Sequence, residues 1–429
     1  MNISELYKYY KQSYLVSTDT RKITKGCLFF ALKGDNFNGN KFAKKALELG
    51  ASYAIVDEEA YVTHQNIILV NDVLETLQSL ATYHRQQLAI PIISLTGSNG
   101  KTTTKELVNA VLSEEHNTTA TLGNLNNHIG VPLTLLSMTP KTEIGIVEMG
   151  ANHLNEIDFL CQITQPDYGY ITNFGKAHLE GFGSLEGVVQ GKTELYRYLK
   201  LQNKTVFVNN EDEIQVEKSS TIDKITFGRE NADVKVNFIE ASPFVKFQFN
   251  NKTIKSQLIG AYNYDNIAAA ITIGCHLNVS KEDIISAIEN YVPTNNRSQI
   301  IEQVTNKIIL DAYNANPSSM KVALENLSGL TDTYRIAILG DMFELGNEVE
   351  VEHQAIVDLL SNLQIEEAYL IGENFYKTNC QLSESKGEIT LFKSFDDFKS
   401  HFSNLKIENA TLLIKASRGM ALERILDLI

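Results

Sequence analysis

The residues with the most chemistry in this chain lie together in Thr96-Gly97-Ser98-Asn99-Gly100-Lys101-Thr102-Thr103-Thr104. Ile92-Ile93-Ser94-Leu95 before them is an apolar run that reads as a buried strand. Glu106-Leu107-Val108 and Val111-Leu112 after them are apolar at helical spacing. A strand, a glycine-rich turn and a helix N-terminus form an anion cradle, because free backbone N–H groups and the positive end of the helix dipole face one point. In that cradle Gly97, Ser98, Asn99, Gly100 and Thr103 wrap the phosphates of a nucleotide. Lys101 reaches the outer phosphates, and the Thr102 hydroxyl holds a magnesium ion. The general pattern places a glycine five residues ahead of the Gly-Lys pair; Leu95 stands there, so the loop is a shorter variant.

Other candidates sit where strands end. Glu148 closes Ile144-Gly145-Ile146-Val147, and in an open parallel sheet ligands lie beyond the carboxyl ends of strands. A carboxylate there holds magnesium or is a solvated strand-end acid; the phosphate loop upstream favours the metal role. Asn173-Phe174-Gly175-Lys176-Ala177-His178 follows a strand at 168–172, which leaves His178 equally open to a metal role and a structural one. Lys192 opens the helical pattern Leu195, Tyr198, Leu199 and by itself reads as a surface lysine. The segment 181–187 nearly makes a dinucleotide fingerprint, but its third glycine is displaced and no strand directly precedes it, so it is discounted. Asn124, Asn126 and Asn127 lie in a polar run at 123–130 that suits either hydrogen bonding to a sugar or peptide or plain turn chemistry. The loops 311–317 and 340–346 each follow a strand and precede a helix, which suggests one ligand face.

The elements that must position these residues fall into three regions. Residues 1–88 read as a small α/β unit, with strands at 27–32, 53–56 and 67–70 and a helix at 42–49 stopped by Gly50. Residues 89–296 alternate strand and helix, the mark of a parallel sheet, with strands at 92–96, 144–147, 168–172 and 205–208. A β-rich stretch at 234–259 follows, then a helix at 264–275, and Ser280 with Asp283 resembles a capping box. Residues 297–429 alternate again and read as an open doubly wound sheet.

Composition narrows the classes. A net charge of −14 argues against a nucleic-acid or anionic-membrane surface, while a local cluster of Lys and Arg still suffices for a polyanionic small substrate. The four cysteines are far apart, make no metal-ligand spacing and read as reduced thiols of a cytosolic protein. Residues 1–15 have no continuous apolar core, so no signal peptide is expected. No apolar run approaches membrane-spanning length, and a cytoplasmic location is expected.

Taken together these segments resemble the Mur ligase family, ATP-dependent amide-forming enzymes of peptidoglycan synthesis, over nearly the whole chain. Thr18-Asp19-Thr20-Arg21 and Ala31-Leu32-Lys33-Gly34 look like the family's nucleotide-sugar-binding segments. The phosphate loop, 123–136, Val147-Glu148-Met149-Gly150 and 173–178 match in order. Lys192-Thr193-Glu194 falls where the family carries a lysine carbamylated by carbon dioxide, and Gly260-Ala261-Tyr262-Asn263-Tyr264-Asp265-Asn266 is similar to its adenine-contacting segment. Tyr313-Asn314-Ala315-Asn316-Pro317, Leu339-Gly340-Asp341-Met342 and Lys415-Ala416-Ser417-Arg418 fit the dipeptide-adding branch best. Two departures stand out: Asn38-Gly39-Asn40 replaces the usual Asp-Gly-His, and Tyr262 stands where a His commonly precedes the Asn.

The resemblance implies a three-domain α/β protein. A small N-terminal UDP-sugar-binding domain (1–88) precedes a central P-loop ATPase-like parallel-sheet domain (89–296) and a C-terminal Rossmann-like acceptor domain (297–429). It implies three small-molecule substrates, ATP, a UDP-N-acetylmuramoyl-tripeptide and D-alanyl-D-alanine, with two Mg2+, a carbamate on Lys192 and a monomeric enzyme. Lys101, His178, Lys192 and Arg297 would be catalytic. Thr102, Glu148, His178 and Lys192 would hold the metals. Asn263 and Asn266 would contact adenine and Asp311 the ribose. Asp19, Thr20, Arg21, Lys33 and Gly34 would bind the nucleotide sugar, and Asn124, Asn126 and Asn127 would also contact substrate. Asn314, Asn316, Lys415, Ser417 and Arg418 would bind the dipeptide. A diaminopimelate-adding relative would carry Asp-Asn-Pro-Arg, and a folate polyglutamate ligase Asp-Gly-Ala-His-Asn-Pro at 311–317; the chain has neither. A kinase or nucleotide switch needs only the loop and Glu148, and leaves the polar loops of the third region unexplained.

Overall fold

Four short parallel strands start the chain: β1 (Val16–Ser17), β2 (Leu28–Phe30), β3 (Tyr53–Val56) and β4 (Ile67–Leu69), in the order β1-β2-β3-β4. The protein is described by a computed structural model over residues 2–331, 334–380 and 387–429. One face of this first sheet carries α2 (Ala43–Glu48), which closes a small core around Phe29, Ala46 and Val56. The other face carries α1 (Ile3–Tyr10), opened by an Asn2–Glu5 capping box, and α3 (Val73–Leu88), capped by Asp72. This second face has no core of its own. Leu6, Tyr10, Leu28 and Phe30 belong to one continuous cluster with Val131, Leu160, Leu199 and Val206 of the next region.

That next region is a seven-stranded parallel sheet. Its strands in chain order are β5 (Ile92–Thr96), β6 (Thr118–Ala120), β7 (Ile144–Glu148), β8 (Tyr168–Ile171), β9 (Thr205–Asn209), β10 (Lys224–Gly228) and β11 (Val234–Lys235). They lie in the order β11-β10-β9-β8-β5-β7-β6, so the strand order reverses at β5 while every pairing stays parallel. β5 and β7 are buried along their whole length, as apolar runs covered on both faces must be. The helices include α4 (Lys101–Leu112), α5 (Gly130–Leu135), α6 (Glu156–Thr164), α7 (Leu179–Phe182), α8 (Leu185–Lys192) and α9 (Glu194–Leu201). The β-rich stretch becomes an antiparallel sheet of β12 (Asn237–Ala241), β13 (Phe244–Phe249) and β14 (Lys252–Ile259). Its alternating buried residues Phe247, Ile254 and Leu258 pack with α10 (Asn263–His276) and α11 (Lys281–Asn290).

The last region is a six-stranded sheet in the order β15-β16-β20-β17-β18-β19. Its strands are β15 (Gln299–Gln303), β16 (Asn306–Leu310), β17 (Tyr334–Gly340), β18 (Glu367–Ile371), β19 (Glu388–Phe392) and β20 (Ala410–Lys415), and only β15 runs antiparallel. α12 (Pro317–Ser328), α13 (Val349–Asn362) and α14 (Phe395–Phe402) cover it.

Two expectations change here. The Ser280–Asp283 capping box is half made: Ser280 accepts from the Asp283 N–H, but the Ser280 N–H goes to Glu115 Oε1 at 2.8 Å, a carboxylate from elsewhere in the chain. Lys192 does not open a helix at the surface. It is the last residue of α8 and is fully buried.

Candidate active site

The phosphate loop joins β5 to α4, and its geometry depends on glycine at two points. Gly97 has φ +142°, and a Cβ there would lie 2.0 Å from Thr172 Oγ1. Gly100 has φ +78°, and a Cβ there would lie 2.6 Å from Asn266 Oδ1. Gly100 also begins α4 without any side-chain cap. The start of α3, α8, α11 and α12 is each closed by a polar side chain. The first-turn N–H groups of Lys101, Thr102 and Thr103 have no carbonyl behind them in the helix, which leaves them to an anion.

Ser98 and Asn99 act differently from expectation. Ser98 N–H donates to Asn173 O at 3.1 Å and Asn99 N–H to Asn173 Oδ1 at 3.0 Å, so these two donors are spent on shaping the loop. Thr172 Oγ1 and Asn173 Nδ2 both donate to Asn99 O, and Ser98 Oγ pairs with the backbone of Gly175. Lys101 Nζ is folded back on the carbonyls of Gly97 (2.6 Å) and Ser98 (3.2 Å). Burial pulls its pKa down to about 8, with Glu148 opposing the shift and Arg297 adding to it.

Glu148 is buried at the carboxyl end of β7 and is held by both oxygens. Thr102 Oγ1 donates to Oε2 at 2.9 Å, and Asn126 Nδ2 donates to Oε1 at 2.8 Å. The three asparagines therefore divide. Asn126 orients the carboxylate, Asn127 Oδ1 accepts from the N–H groups of Ile129 and Gly130 at the start of α5, and Asn124 is exposed at the cleft. A hard divalent cation fits between Thr102 and Glu148, because both offer oxygen. Among the described residues no three His, Cys, Asp or Glu side chains cluster into a metal site. The pair could thus supply only a few ligands to a cation and would leave the rest to phosphates and water, the habit of magnesium.

A cleft of about 870 Å³ opens over the loop. One wall is the loop with Glu148, Asn263 and Asn266; the other is the last region, with Arg297, Asp311, Asn314, Asn316, Lys415, Ser417 and Arg418. Arg297 stacks its guanidinium 3.9 Å from the Tyr313 ring centre, while Arg418 lies 5.8 Å from the same ring and pairs with Glu423. Arg297 Nε is buried without a partner among the described residues, so a donor is left over at this wall. Lys415 is buried and donates to Asp311 Oδ2 (2.5 Å) and to Asn314 O (3.2 Å). The other oxygen of Asp311 accepts from the Ser298 N–H.

Several side chains named from sequence support the site from behind. Asn263 Nδ2 donates to Ile259 O, Asn266 Nδ2 to Asn263 Oδ1, and Thr104 Oγ1 to Asn266 Oδ1, so the two asparagines brace the loop from below. Asn316 caps α12 and donates to Asn99 Oδ1 at 2.8 Å, touching the phosphate loop. Ser417 bonds Ala315 O and the Phe343 N–H. Lys192 lies behind the cleft wall, with Nζ 3.2 Å from Ala151 O and 5.1 Å from the centre of the Phe182 ring. Burial, followed by the charge of Lys101, holds it well below the ordinary lysine range.

His178 crosses between regions, with its Nδ1 2.6 Å from Glu344 Oε2. That bond holds the Glu344 carboxyl below its ordinary range and leaves Nε2 open. Beside it Lys176 pairs with Glu352 at 2.6 Å. Glu344, Asn173 and Tyr313 were not singled out from sequence, although each lies in a loop marked there. Asp19, Thr20, Arg21, Lys33 and Gly34 do not line the cleft. Asp19 caps a turn and pairs with Arg21, and Lys33 pairs with Asp57 (3.1 Å) and Glu58 (3.6 Å). The substituted Asn38 and Asn40 join that network, because Asn40 Nδ2 donates to Asp57 Oδ1 and Asn38 Nδ2 to Glu58 Oε1.

Family models match in three consecutive blocks: the Mur ligase family catalytic domain over residues 12–92, the middle domain over 95–274, and the glutamate ligase domain over 296–418. The UDP-N-acetylmuramoyl-tripeptide–D-alanyl-D-alanine ligase of Bacillus subtilis is 35% identical across 100% of this chain and 97% of its own length. The Escherichia coli ligase of the same name is 34% identical across 96% of this chain and 92% of its own. The crystal structure of MurF from Acinetobacter baumannii superposes with a TM-score of 0.86 at 31% identity, covering 96% of this chain and 92% of that one. MurF ligase from Thermotoga maritima, solved with ADP, superposes with a TM-score of 0.81 at 27% identity, covering 96% of each chain.

Proposed function

Since this chain belongs to the Mur ligase family, we propose that it is an ATP-dependent ligase joining D-alanyl-D-alanine to a UDP-N-acetylmuramoyl-tripeptide in peptidoglycan precursor synthesis. One observation carries the reading: the uncapped start of α4, with Lys101 and the Thr102–Glu148 pair, faces the cationic wall of the last region across one cleft.

A carboxylate does not react with an amine at neutral pH, so one of its oxygens must first be made a leaving group. A carboxylate oxygen of the tripeptide attacks the γ-phosphorus of ATP, the bond to ADP breaks, and an acyl phosphate forms. The dipeptide amine then attacks the acyl carbon, loses a proton, and phosphate departs with its electron pair. The first step brings two anions together, so electrostatic stabilisation is the main need. Lys101 swings from its loop carbonyls onto the outer phosphates, and the first-turn N–H groups of α4 hold the inner ones. Arg297, with its spare donor, reaches the transferred group from the opposite wall. Thr102 and Glu148 would hold magnesium, with Asn126 keeping the carboxylate aimed. Bound there, magnesium would offset phosphate charge and make the γ-phosphorus more electrophilic.

Lys192 is the proposed carbamate. Carbon dioxide reacts with a neutral amine, and burial favours the neutral form of this one. The carbamate would turn a cation into an anionic oxygen ligand and, with Nε2 of His178, would hold a second magnesium. The segment 19–34 is proposed to bind the nucleotide sugar, and Asn314, Lys415 and Arg418 the dipeptide. A cytoplasmic location and a monomeric state belong to the same proposal. Among the described residues no helix is long and apolar enough to cross a membrane.

The test is phosphate release with each amine in turn, confirmed by the mass of the product. ATP turnover should require both the UDP-muramoyl tripeptide and D-alanyl-D-alanine, with single D-alanine, L-lysine, diaminopimelate and glutamate poor donors. Faster turnover with diaminopimelate or glutamate would overturn the choice of acceptor and leave the amide-ligase class standing.

A further inference from the structure

Lys105 is unaccounted for by this chemistry, yet it is fully buried on the helix that carries the phosphate loop. Its Nζ donates to Thr121 O at 2.5 Å and pairs with Glu106 Oε1 at 2.7 Å. Thr121 continues the chain of contacts, because its Oγ1 accepts the backbone N–H of Glu148 at 2.9 Å. Lys105 lies three residues after Thr102, so the two rise from neighbouring positions on one helix face. Helix α4 therefore grips Glu148 twice: Thr102 takes the carboxylate, and Lys105 takes the backbone by way of Thr121. Filling space does not explain a lysine here, since an aliphatic side chain of similar volume avoids the cost of desolvating an ammonium.

We propose that Lys105 is a positioning residue for the cation site, clamping Thr121 so that the Glu148 carboxylate is fixed opposite the Thr102 hydroxyl. The proposal rests on the reading of Thr102 and Glu148 as the magnesium ligands. Supporting groups of this kind change metal affinity by roughly 10–100-fold when removed.

The experiment measures ADP binding by calorimetry in EDTA and in magnesium, for the unmodified protein, Lys105→Met, Thr121→Val and the double variant. Melting temperature is followed in parallel. In Lys105→Met, affinity in EDTA should stay within about two-fold, because the α4 N-terminus is intact. The gain in affinity on adding magnesium should shrink about ten-fold, and half-saturating magnesium in the ligase assay should rise by a similar factor. Thr121→Val keeps the lysine and breaks the relay, so it should reproduce the effect and serves if Lys105→Met does not fold. The double variant should be no worse than either single one. A lowered melting temperature with an unchanged magnesium gain in both single variants would overturn the proposal. Glu148→Gln separates the two layers: if it keeps the full magnesium gain, the metal reading itself fails, whatever Lys105 does.

Discussion

Lys101 spends the described state bonded to two carbonyls of its own loop. Those bonds are local, and the proposed mechanism exchanges them for phosphate oxygens, so it asks the lysine for charge at the reaction and little for the fold. Lys101→Ala should lower turnover by roughly 10²–10³-fold or more, the cost of losing one preorganised donor, about 3–4 kcal/mol. The melting temperature should stay within a few degrees. Near-normal turnover would remove the phosphate loop from the mechanism. Lys192 makes the opposite case, since the carbamate proposed for it is a covalent change that can be read directly. Protein equilibrated with ¹³C-bicarbonate should show a carbamate carbon resonance that Lys192→Ala lacks. That variant should be nearly inactive and partly restored by small carboxylic acids. At this scale the sequence located residues better than roles. Lys101, Thr102 and Glu148 follow from local spacing and strand ends. Lys192 reads as exposed because Gly187 and Gly191 blur the helix before it and its burial is tertiary. Asn126, Asn263 and Asn316 were placed at the site, but their hydrogen bonds go to protein groups far along the chain, which no spacing rule reveals.

Elements show the same division. Buried strands such as β5 and β7 are continuous apolar runs and were legible. β15 was not, because as an antiparallel edge strand with partly exposed residues it lacks such a run. The loop at β5 makes a direct prediction: Gly97→Ala pushes a methyl group into Thr172 and should abolish ADP binding, measured by calorimetry, while the sheet remains folded. A second prediction concerns the packing of α1 and α3 on the central region. His84 of α3 donates from Nε2 to Met138 O at 2.9 Å, and its Nδ1 accepts from Tyr7 O–H at 3.1 Å. The rings of Tyr10 and Tyr14 also face it, and burial holds its pKa below the ordinary value of 6.5. The unfolded chain therefore takes up a proton near pH 6.5 that the folded one resists, so the stability is complete above that pH and is lost below it. The melting temperature should fall between pH 7 and pH 5, and the fall should be shallower in His84→Gln. His353, also buried and shifted the same way, sets a remaining slope. Equal slopes in both proteins would assign the effect elsewhere.

At the scale of the molecule, the first two regions share a hydrophobic cluster, whereas the third meets the loop and the 173–178 segment through polar contacts: Asn316–Asn99, Ser318–Lys176, Glu352–Lys176 and Glu344–His178. Apolar packing makes one body of the former; the third region packs on the second through Ile259 and Phe244, while its contacts at the cleft are exchangeable hydrogen bonds and ion pairs. Removing both carboxylates in Glu344→Ala/Glu352→Ala should open the third region by roughly 1–2 kcal/mol, since exposed pairs give up to about 1 kcal/mol each and Glu352 is buried. Small-angle scattering should show a larger radius of gyration, and KM for the dipeptide should rise more than KM for ATP. An unchanged radius would mean that other contacts hold the third region in place.

The shared cluster also bears on how the chain is made. A ribosome releases residues 1–88 first, and the apolar face that α1 and α3 build with Tyr10, Leu28 and Phe30 is covered by α5 and α6, which pack on α3. At roughly 5–20 residues per second, the roughly 76 residues from Leu88 to Thr164, the end of α6, take about 4–15 s to synthesise. During that interval the nascent segment can close only its other face, around Phe29 and Val56. It presents the rest as sticky surface, a natural client for a chaperone at the exit tunnel.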